Sequence, residues 1–85
     1  MSGIADPQHE QVLPLPDAPS GKAVRLASNE TRGLLRQRLI DLGFTAGTGL
    51  RLLRKGPKDN LIAVSVRDTV IALRSDEARS IWVAG

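Results

Sequence analysis

The residues LIAVSVR, from Leu61 to Arg67, decide the class of fold. Apolar side chains at positions 62, 64 and 66 alternate with Ala, Ser and Arg at the intervening positions. This period of two predicts a β-strand with one buried and one solvated face. A second strand is predicted over Thr69 to Arg74. Because only Arg67-Asp68 separates the two apolar runs, they are expected to form a tight hairpin.

Three further strands are predicted on either side of this hairpin. The loop Gly56 to Asn60 is rich in turn-forming residues and connects the hairpin to a strand over Thr48 to Lys55. A first strand is predicted over Lys22 to Ala27 and a last short strand over Ile81 to Val83. Five short strands in so short a chain favour a small, partly closed barrel, since closure removes exposed strand edges.

One helix is predicted between the strand over Lys22 to Ala27 and the strand over Thr48 to Lys55. Leucines at positions 35, 39 and 42 recur at helical spacing within the segment Thr31 to Leu42. Gly43 follows as the left-handed residue that ends this helix. Ser75 begins a single further helical turn before the last strand, with two acidic residues near the positive end of that turn.

The N-terminal part of the chain differs in composition from the rest. Residues 1–11 are polar and show neither helical nor strand periodicity, which predicts a disordered tail. From Val12 to Pro16 apolar residues alternate with prolines, which predicts an edge segment covering the core. Residues 1–20 carry three acids and no base, so all 12 Lys and Arg lie in residues 21–85. This basic body favours an acidic protein surface, an anionic membrane surface or nucleic acid as partner.

The residues available for chemistry argue against an enzyme. The only histidine is His9, in the predicted tail, and the chain has no Cys and no Tyr. Catalysis needs a base or nucleophile held in a defined position, and the carboxylates of the body are scattered. Iron and zinc sites need His, Cys or several convergent carboxylates. We therefore expect no catalytic residue, no metal site and no cofactor.

Targeting and membrane segments are not expected either. The longest apolar runs have four residues, whereas a membrane-spanning helix needs about 20. The first ten residues contain no Lys or Arg and no apolar run, unlike a secretory signal peptide. Together with the lack of Cys, this pattern agrees with a cytoplasmic protein.

Two further stretches carry a family resemblance. RLIDLG (Arg38 to Gly43) is followed by TAGT at positions 45–48, and IALR (Ile71 to Arg74) is followed at fixed spacing by EA and IWV. These motifs resemble the helix-to-strand turn and the C-terminal ending of the FeoA family, the small ferrous iron transport protein A. The likeness covers roughly residues 13–83. It implies an SH3-like five-stranded barrel over residues 12–85, with one α-helix and a short C-terminal helical turn, behind the acidic tail of residues 1–11.

The resemblance also implies a function. It implies a cytoplasmic accessory or regulatory protein of bacterial ferrous iron uptake that docks on FeoB, the membrane iron permease with a GTP-hydrolysing domain. Docking would use protein–protein contacts, in which basic side chains chiefly raise the association rate. The predicted contact residues are Arg36, Arg38, Phe44, Arg51, Arg54 and Lys55.

Alternative interpretations remain open at the level of sequence. A small basic barrel is also a scaffold for nucleic acid, although two aromatics, Phe44 and Trp82, make a poor platform for stacking bases. A low-affinity metal sensor is a third possibility. The basic segment from Arg51 to Lys58 is equally compatible with a solvated hairpin, and Phe44 with a core residue beneath the helix.

Overall fold

One antiparallel sheet organises the part of the chain that the structure, a computed structural model, describes: residues 11–56 and 60–85. Six strands in the order β1-β6-β2-β3-β4-β5 form this sheet. Residues 1–10 of the predicted disordered tail (residues 1–11) and the middle of the predicted 56–60 turn lie outside the described residues. The elements are β1 (Val12–Pro14), a 3-10 turn (Leu15–Asp17), β2 (Ala23–Asn29), α1 (Gly33–Leu42), β3 (Gly49–Lys55), β4 (Leu61–Val66), β5 (Thr69–Arg74), α2 (Ser75–Ala78) and β6 (Ile81–Ala84).

The structure has one more strand than the sequence predicts. The predicted edge segment divides into β1, which pairs antiparallel with β6, and the 3-10 turn that follows. Pro14 is tolerated in β1 because this strand lies at the edge of the sheet, where a missing N–H leaves no ladder bond unmade. Leu15 and Pro16 of the turn are buried, so the segment covers the core as expected. The bounds of the five predicted strands differ from the observed ones by at most two residues.

The core lies on one face of the sheet. The alternation predicted for β4 is confirmed, since Ile62, Val64 and Val66 are each no more than 2% exposed. The strand order has β1 at one end and β5 at the other, without pairing between them, so the sheet is not closed. The buried cluster consists of Leu15, Ala18, Val24, Leu26, Leu39, Phe44, Leu50, Leu52, Ile62, Val64, Val66, Leu73, Ala78, Ile81 and Val83.

Helix α1 lies at the periphery of this core. Leu39 is its one buried residue, Leu35 packs only partly against the core, and Leu34 is 83% exposed. The helix begins two residues later than predicted, because Asn29 is used in the turn before it. The Asn29 side chain accepts hydrogen bonds from the backbone N–H and the hydroxyl of Thr31. At the other end Gly43 terminates α1 at φ 110°, as predicted.

The hairpin between β4 and β5 is confirmed. Val66 lies opposite Thr69, and the connection is Arg67-Asp68, with φ values of 50° and 66°. Two successive residues with positive φ form the mirror-image turn whose twist matches that of the flanking strands. In this chain two residues with side chains, Arg67 and Asp68, adopt the left-handed conformation.

Candidate protein-docking face

The most distinctive surface of the molecule is the side of the β3–β4–β5 sheet that faces away from the core. Cross-strand pairing places Arg51 opposite Ser65, and Ser65 opposite Val70. A second row runs from Arg54 across Ala63 to Ala72, and Leu61 pairs with Arg74 at the end. We call these side chains the outer face: Arg51, Arg54, Leu61, Ala63, Ser65, Val70, Ala72 and Arg74.

A β-bulge brings two arginines to this face. In a regular strand the residues of β3 would alternate, so that Arg51 and Arg54 would point to opposite sides. The register shifts between Leu52, opposite Val64, and Arg54, opposite Ala63. Leu53 is therefore an extra residue in β3, and the alternation restarts beyond it. As a result Arg51 and Arg54, the hairpin arginines, share the outer face and are both exposed.

Lys55 does not join the hairpin arginines on the outer face. It lies opposite Ile62, whose side chain belongs to the core. Because cross-strand partners point to the same side of a sheet, Lys55 starts out toward the opposite face. It remains exposed because it is the last residue of its strand.

The two helical arginines point in divergent directions. Arg36 and Arg38 are both exposed on α1. At about 100° per residue their side chains diverge by roughly 200°, so one flat partner surface would not contact both. The guanidinium of Arg36 donates a hydrogen bond to the backbone oxygen of Asn29. Arg36 thereby lines an open groove of about 580 Å³ between α1 and the end of β2.

Phe44 departs from its predicted role. Its side chain is 1% exposed and belongs to the core cluster. The backbone N–H of Phe44 donates a hydrogen bond to the carbonyl oxygen of Leu39 at 2.8 Å, directly after the end of α1. The structure therefore places Phe44 as a core residue, and its side chain does not lie on the surface with the arginines.

The outer face also carries exposed apolar side chains and small ones. Val70 is 63% exposed and Leu61 is 50% exposed. Between them and the hairpin arginines lie the small side chains of Ala63 and Ser65, both of intermediate burial. Sequence reasoning missed Val70, Leu61 and Arg74 as surface residues of one face. The period of two in β5 was the signal that places Val70 beside Ser65 and not in the core.

The formal charges on the outer face are all positive. Within residues 11–56 and 60–85 neither hairpin arginine takes part in an ion pair. Arg74 lies 3.6 Å from a carboxylate oxygen of Asp76, and both side chains are more than two-thirds exposed. Such an exposed pair contributes about 0–1 kcal/mol and leaves Arg74 available to another anion. The face is therefore an apolar strip bordered by arginines.

The described residues offer little for other kinds of site. No group of three or more His, Cys, Asp or Glu side chains among them is placed to hold a metal ion. Over the same residues, no helix has the length and apolar character needed to span a membrane. The outer face, with its apolar strip and its arginines, is the candidate site considered below.

The fold and this face define a small, mainly β module of the SH3-like type. Residues 13–85 match the family model described as the FeoA domain. The chain belongs to the FeoA family, which consists of small accessory proteins associated with ferrous iron transport. The resemblance found in the sequence is thereby confirmed. A comparison with curated proteins found no significant match.

Solved structures of other FeoA proteins have the same fold. FeoA of Chlorobium tepidum is 29% identical, with a TM-score of 0.79 over 85% of this chain and 69% of that chain. FeoA of Stenotrophomonas maltophilia, crystallised with zinc and described as a prokaryotic SH3 domain protein, is 30% identical, with a TM-score of 0.70 over 81% and 86%. Iron(II) transport protein A of Clostridium thermocellum is 26% identical, with a TM-score of 0.77 over 85% of this chain and 44% of that chain. These structures confirm the predicted fold class.

Proposed function

We propose that this protein is a non-enzymatic accessory or regulatory protein of ferrous iron uptake. It acts in the cytoplasm by binding the cytoplasmic part of a FeoB-type permease. Membership of the FeoA family supports the link to ferrous iron transport. One observation carries the docking role: the bulge at Leu53 sets both hairpin arginines beside an exposed apolar strip.

The composition of the outer face suits a protein partner. Stable protein interfaces have an apolar centre surrounded by a polar rim, and arginine is enriched in them while lysine is depleted. Here Val70 and Leu61 supply apolar area, and Arg51 and Arg54 supply rim charges. The guanidinium group can bind a carboxylate in a bidentate manner, so the matching partner surface carries Asp or Glu.

The six predicted contact residues divide into three groups in this proposal. Arg51 and Arg54 form the primary contacts, because they share one exposed face. Lys55, Arg36 and Arg38 contribute long-range attraction, since they point elsewhere. Phe44 is left out of the contact set because it is buried.

Charge reversal of the hairpin arginines tests the proposal. The probe is the purified cytoplasmic GTP-binding domain of the FeoB-type permease from the same organism, titrated with the full chain by isothermal calorimetry at low salt. Arg51→Glu/Arg54→Glu is expected to weaken binding by roughly tenfold or more, because two interface charges become repulsive. Circular dichroism should show an unchanged fold, since both side chains are exposed.

A second double variant separates local contact from overall charge. Arg36→Glu/Arg38→Glu changes the formal charge of the chain by the same amount, from residues on α1. It is expected to weaken binding by no more than roughly threefold, because only long-range attraction is lost. Equal losses in the two variants would rule out the outer face as the docking surface. Failure of the unchanged chain to bind the domain or the whole permease would overturn the proposed function.

The alternative of nucleic-acid binding has less support. Single-stranded nucleic acid is usually bound through exposed aromatic rings on which the bases stack. With Phe44 buried, Trp82 is the one remaining aromatic side chain of this chain, and it is only partly exposed. The outer face carries no aromatic residue, so it lacks a stacking platform.

A further inference from the structure

The two edges of the sheet differ in how well they are protected against pairing with a further strand. The edge strand β1 has three residues and contains Pro14, which is a common means of blocking further strand pairing. The opposite edge strand, β5, has six residues and no proline. Its register with β4 runs without a bulge from Thr69 to Arg74, and Arg74 is its one charged residue. By these criteria β5 is an unprotected edge.

Burial within β5 shows that this edge is also uncovered. Ile71 lies opposite Val64, which is 0% exposed, so both side chains point toward the core. Ile71 is nevertheless only half-buried, and Thr69 on the same side is exposed. In the described part of the chain β4 is the only strand that pairs with β5. The inward side of β5 is therefore open where a further strand would lie.

Hairpin geometry identifies the backbone groups that face this open side. In a hairpin with a two-residue turn, the residues flanking the turn exchange both of their hydrogen bonds, and pairing alternates from there. Val66 and Thr69 flank the turn, so the hydrogen-bonded residues of β5 are Thr69, Ile71 and Leu73. The backbone N–H and C=O groups of Val70, Ala72 and Arg74 point away from β4. These three residues also carry the β5 side chains of the outer face.

We propose that the open edge of β5 binds an extended, acidic segment of a partner protein as an added strand. Such strand addition derives affinity from main-chain hydrogen bonds and specificity from alternate side chains. The partner's alternate side chains would lie about 5 Å from Val70, Ala72 and Arg74. The first two positions accept apolar or β-branched residues. The third, beside Arg74, accepts Asp or Glu.

Charge complementarity selects this occupant over a second copy of the chain. All formal charges on the outer face are positive: those of Arg51, Arg54 and Arg74. Pairing of β5 with β5 of a second copy would join two faces of the same sign into one continuous sheet. An acidic segment gains attraction from Arg74 directly, and from the hairpin arginines over a distance comparable to the Debye length of about 10 Å. The surface therefore fits an acidic partner better than itself.

This inference does not depend on the identity of the partner proposed above. Its probe is a synthetic seven-residue peptide with Asp, Val, Val and Asp at alternate positions and Thr between them, added to the ¹⁵N-labelled full chain and followed by amide chemical shifts. The expected result is saturable shifts along β5, largest at the outward-facing amides of Val70, Ala72 and Arg74. The same peptide with Lys in place of each Asp is expected to bind roughly tenfold more weakly, because its charges are repelled by Arg74 and the hairpin arginines.

Two variants block the edge, and one serves as a matched control. Val70→Glu places a negative charge beside the open edge, where it repels an acidic segment, and Ala72→Pro removes an outward-facing N–H without removing a bond to β4. Each is expected to weaken peptide binding roughly tenfold or more. Leu34→Glu introduces the same side chain at an exposed position on α1 and is expected to leave binding unchanged. If Ala72→Pro fails to fold, Val70→Glu alone decides.

The outcomes separate this inference from the proposed function. Absence of shifts at millimolar peptide, shifts centred away from β5, or equal binding of both peptides would overturn strand addition. Concentration-dependent shifts at β5 without peptide would show that a second copy occupies the edge, which also overturns it. Binding of the acidic peptide at β5 without binding of the permease domain would uphold the edge and overturn the proposed partner.

Discussion

At the scale of single residues, two constraints favour glycine at position 43. It ends α1 with φ 110°, in the left-handed region that side chains rarely adopt. A Cβ atom at this position would also lie 2.9 Å from Cδ of Arg67. We therefore expect Gly43→Ala to lower the free energy of unfolding by about 1–2 kcal/mol, measured by urea denaturation.

Gly49 provides the control for this prediction. It lies in β3 without a left-handed φ, and a Cβ added there meets no atom within 4 Å. Gly49→Ala is expected to leave stability unchanged or to raise it by about 0.4–1 kcal/mol, because the unfolded chain loses conformational freedom. Equal destabilisation by the two substitutions would show that the conformation of Gly43 is not the cause.

Some features of single residues could be predicted from their neighbours in the sequence. Gly43 as the end of the helix, and Arg67-Asp68 as a hairpin turn, follow from short stretches of sequence. The packing of Arg67 against Gly43 does not, because it depends on how the helix and the hairpin meet in three dimensions. The burial of Phe44 was likewise open, since one aromatic residue after a helix fits both a core and a surface position.

At the scale of elements, α1 is attached to the core mainly through one side chain. Leu39 is 2% exposed, whereas Leu34 is 83% exposed. Leu39→Ala is expected to lower the free energy of unfolding by about 2–4 kcal/mol, because it removes buried apolar volume and leaves a cavity. Leu34→Ala is expected to change it by less than about 0.5 kcal/mol. Urea denaturation of both variants tests the assignment, and comparable losses would contradict the observed orientation of α1.

The strand bulge shows where element-scale prediction fails. The alternation in β4 is regular, so its buried face could be predicted from the sequence. In β3 the same rule puts Leu52 and Arg54 on one side, and the structure separates them by inserting Leu53. Nothing in the run of residues 49–55 marks which position is extra. The central feature of the candidate site is that Arg51 and Arg54 lie on the same face of β3. This could be seen only from the register between β3 and β4.

At the scale of the whole molecule, family and fold could be predicted while the surface could not. The motifs that carry the family resemblance consist mainly of residues that shape the fold, such as Leu39 and Gly43. Such residues determine the architecture and do not reveal which side chains share the outer face. The direction of each basic side chain depends on strand register and helix rotation. For that reason the six predicted contact residues do not form one surface.

Because the outer face is basic, the affinity of the whole molecule for an acidic partner is expected to depend on ionic strength. Raising ionic strength from about 50 mM to about 500 mM shortens the Debye length from roughly 14 Å to roughly 4 Å, which screens exposed charges. Binding of the unchanged chain to the permease GTP-binding domain is expected to weaken roughly tenfold over this range, mostly through a slower association rate. Arg51→Gln/Arg54→Gln should show a salt dependence clearly smaller than that, because two of the attracting charges are absent. Surface plasmon resonance at several salt concentrations separates association from dissociation. An unchanged salt dependence in the double variant would mean that the attracting charges lie elsewhere than on the outer face.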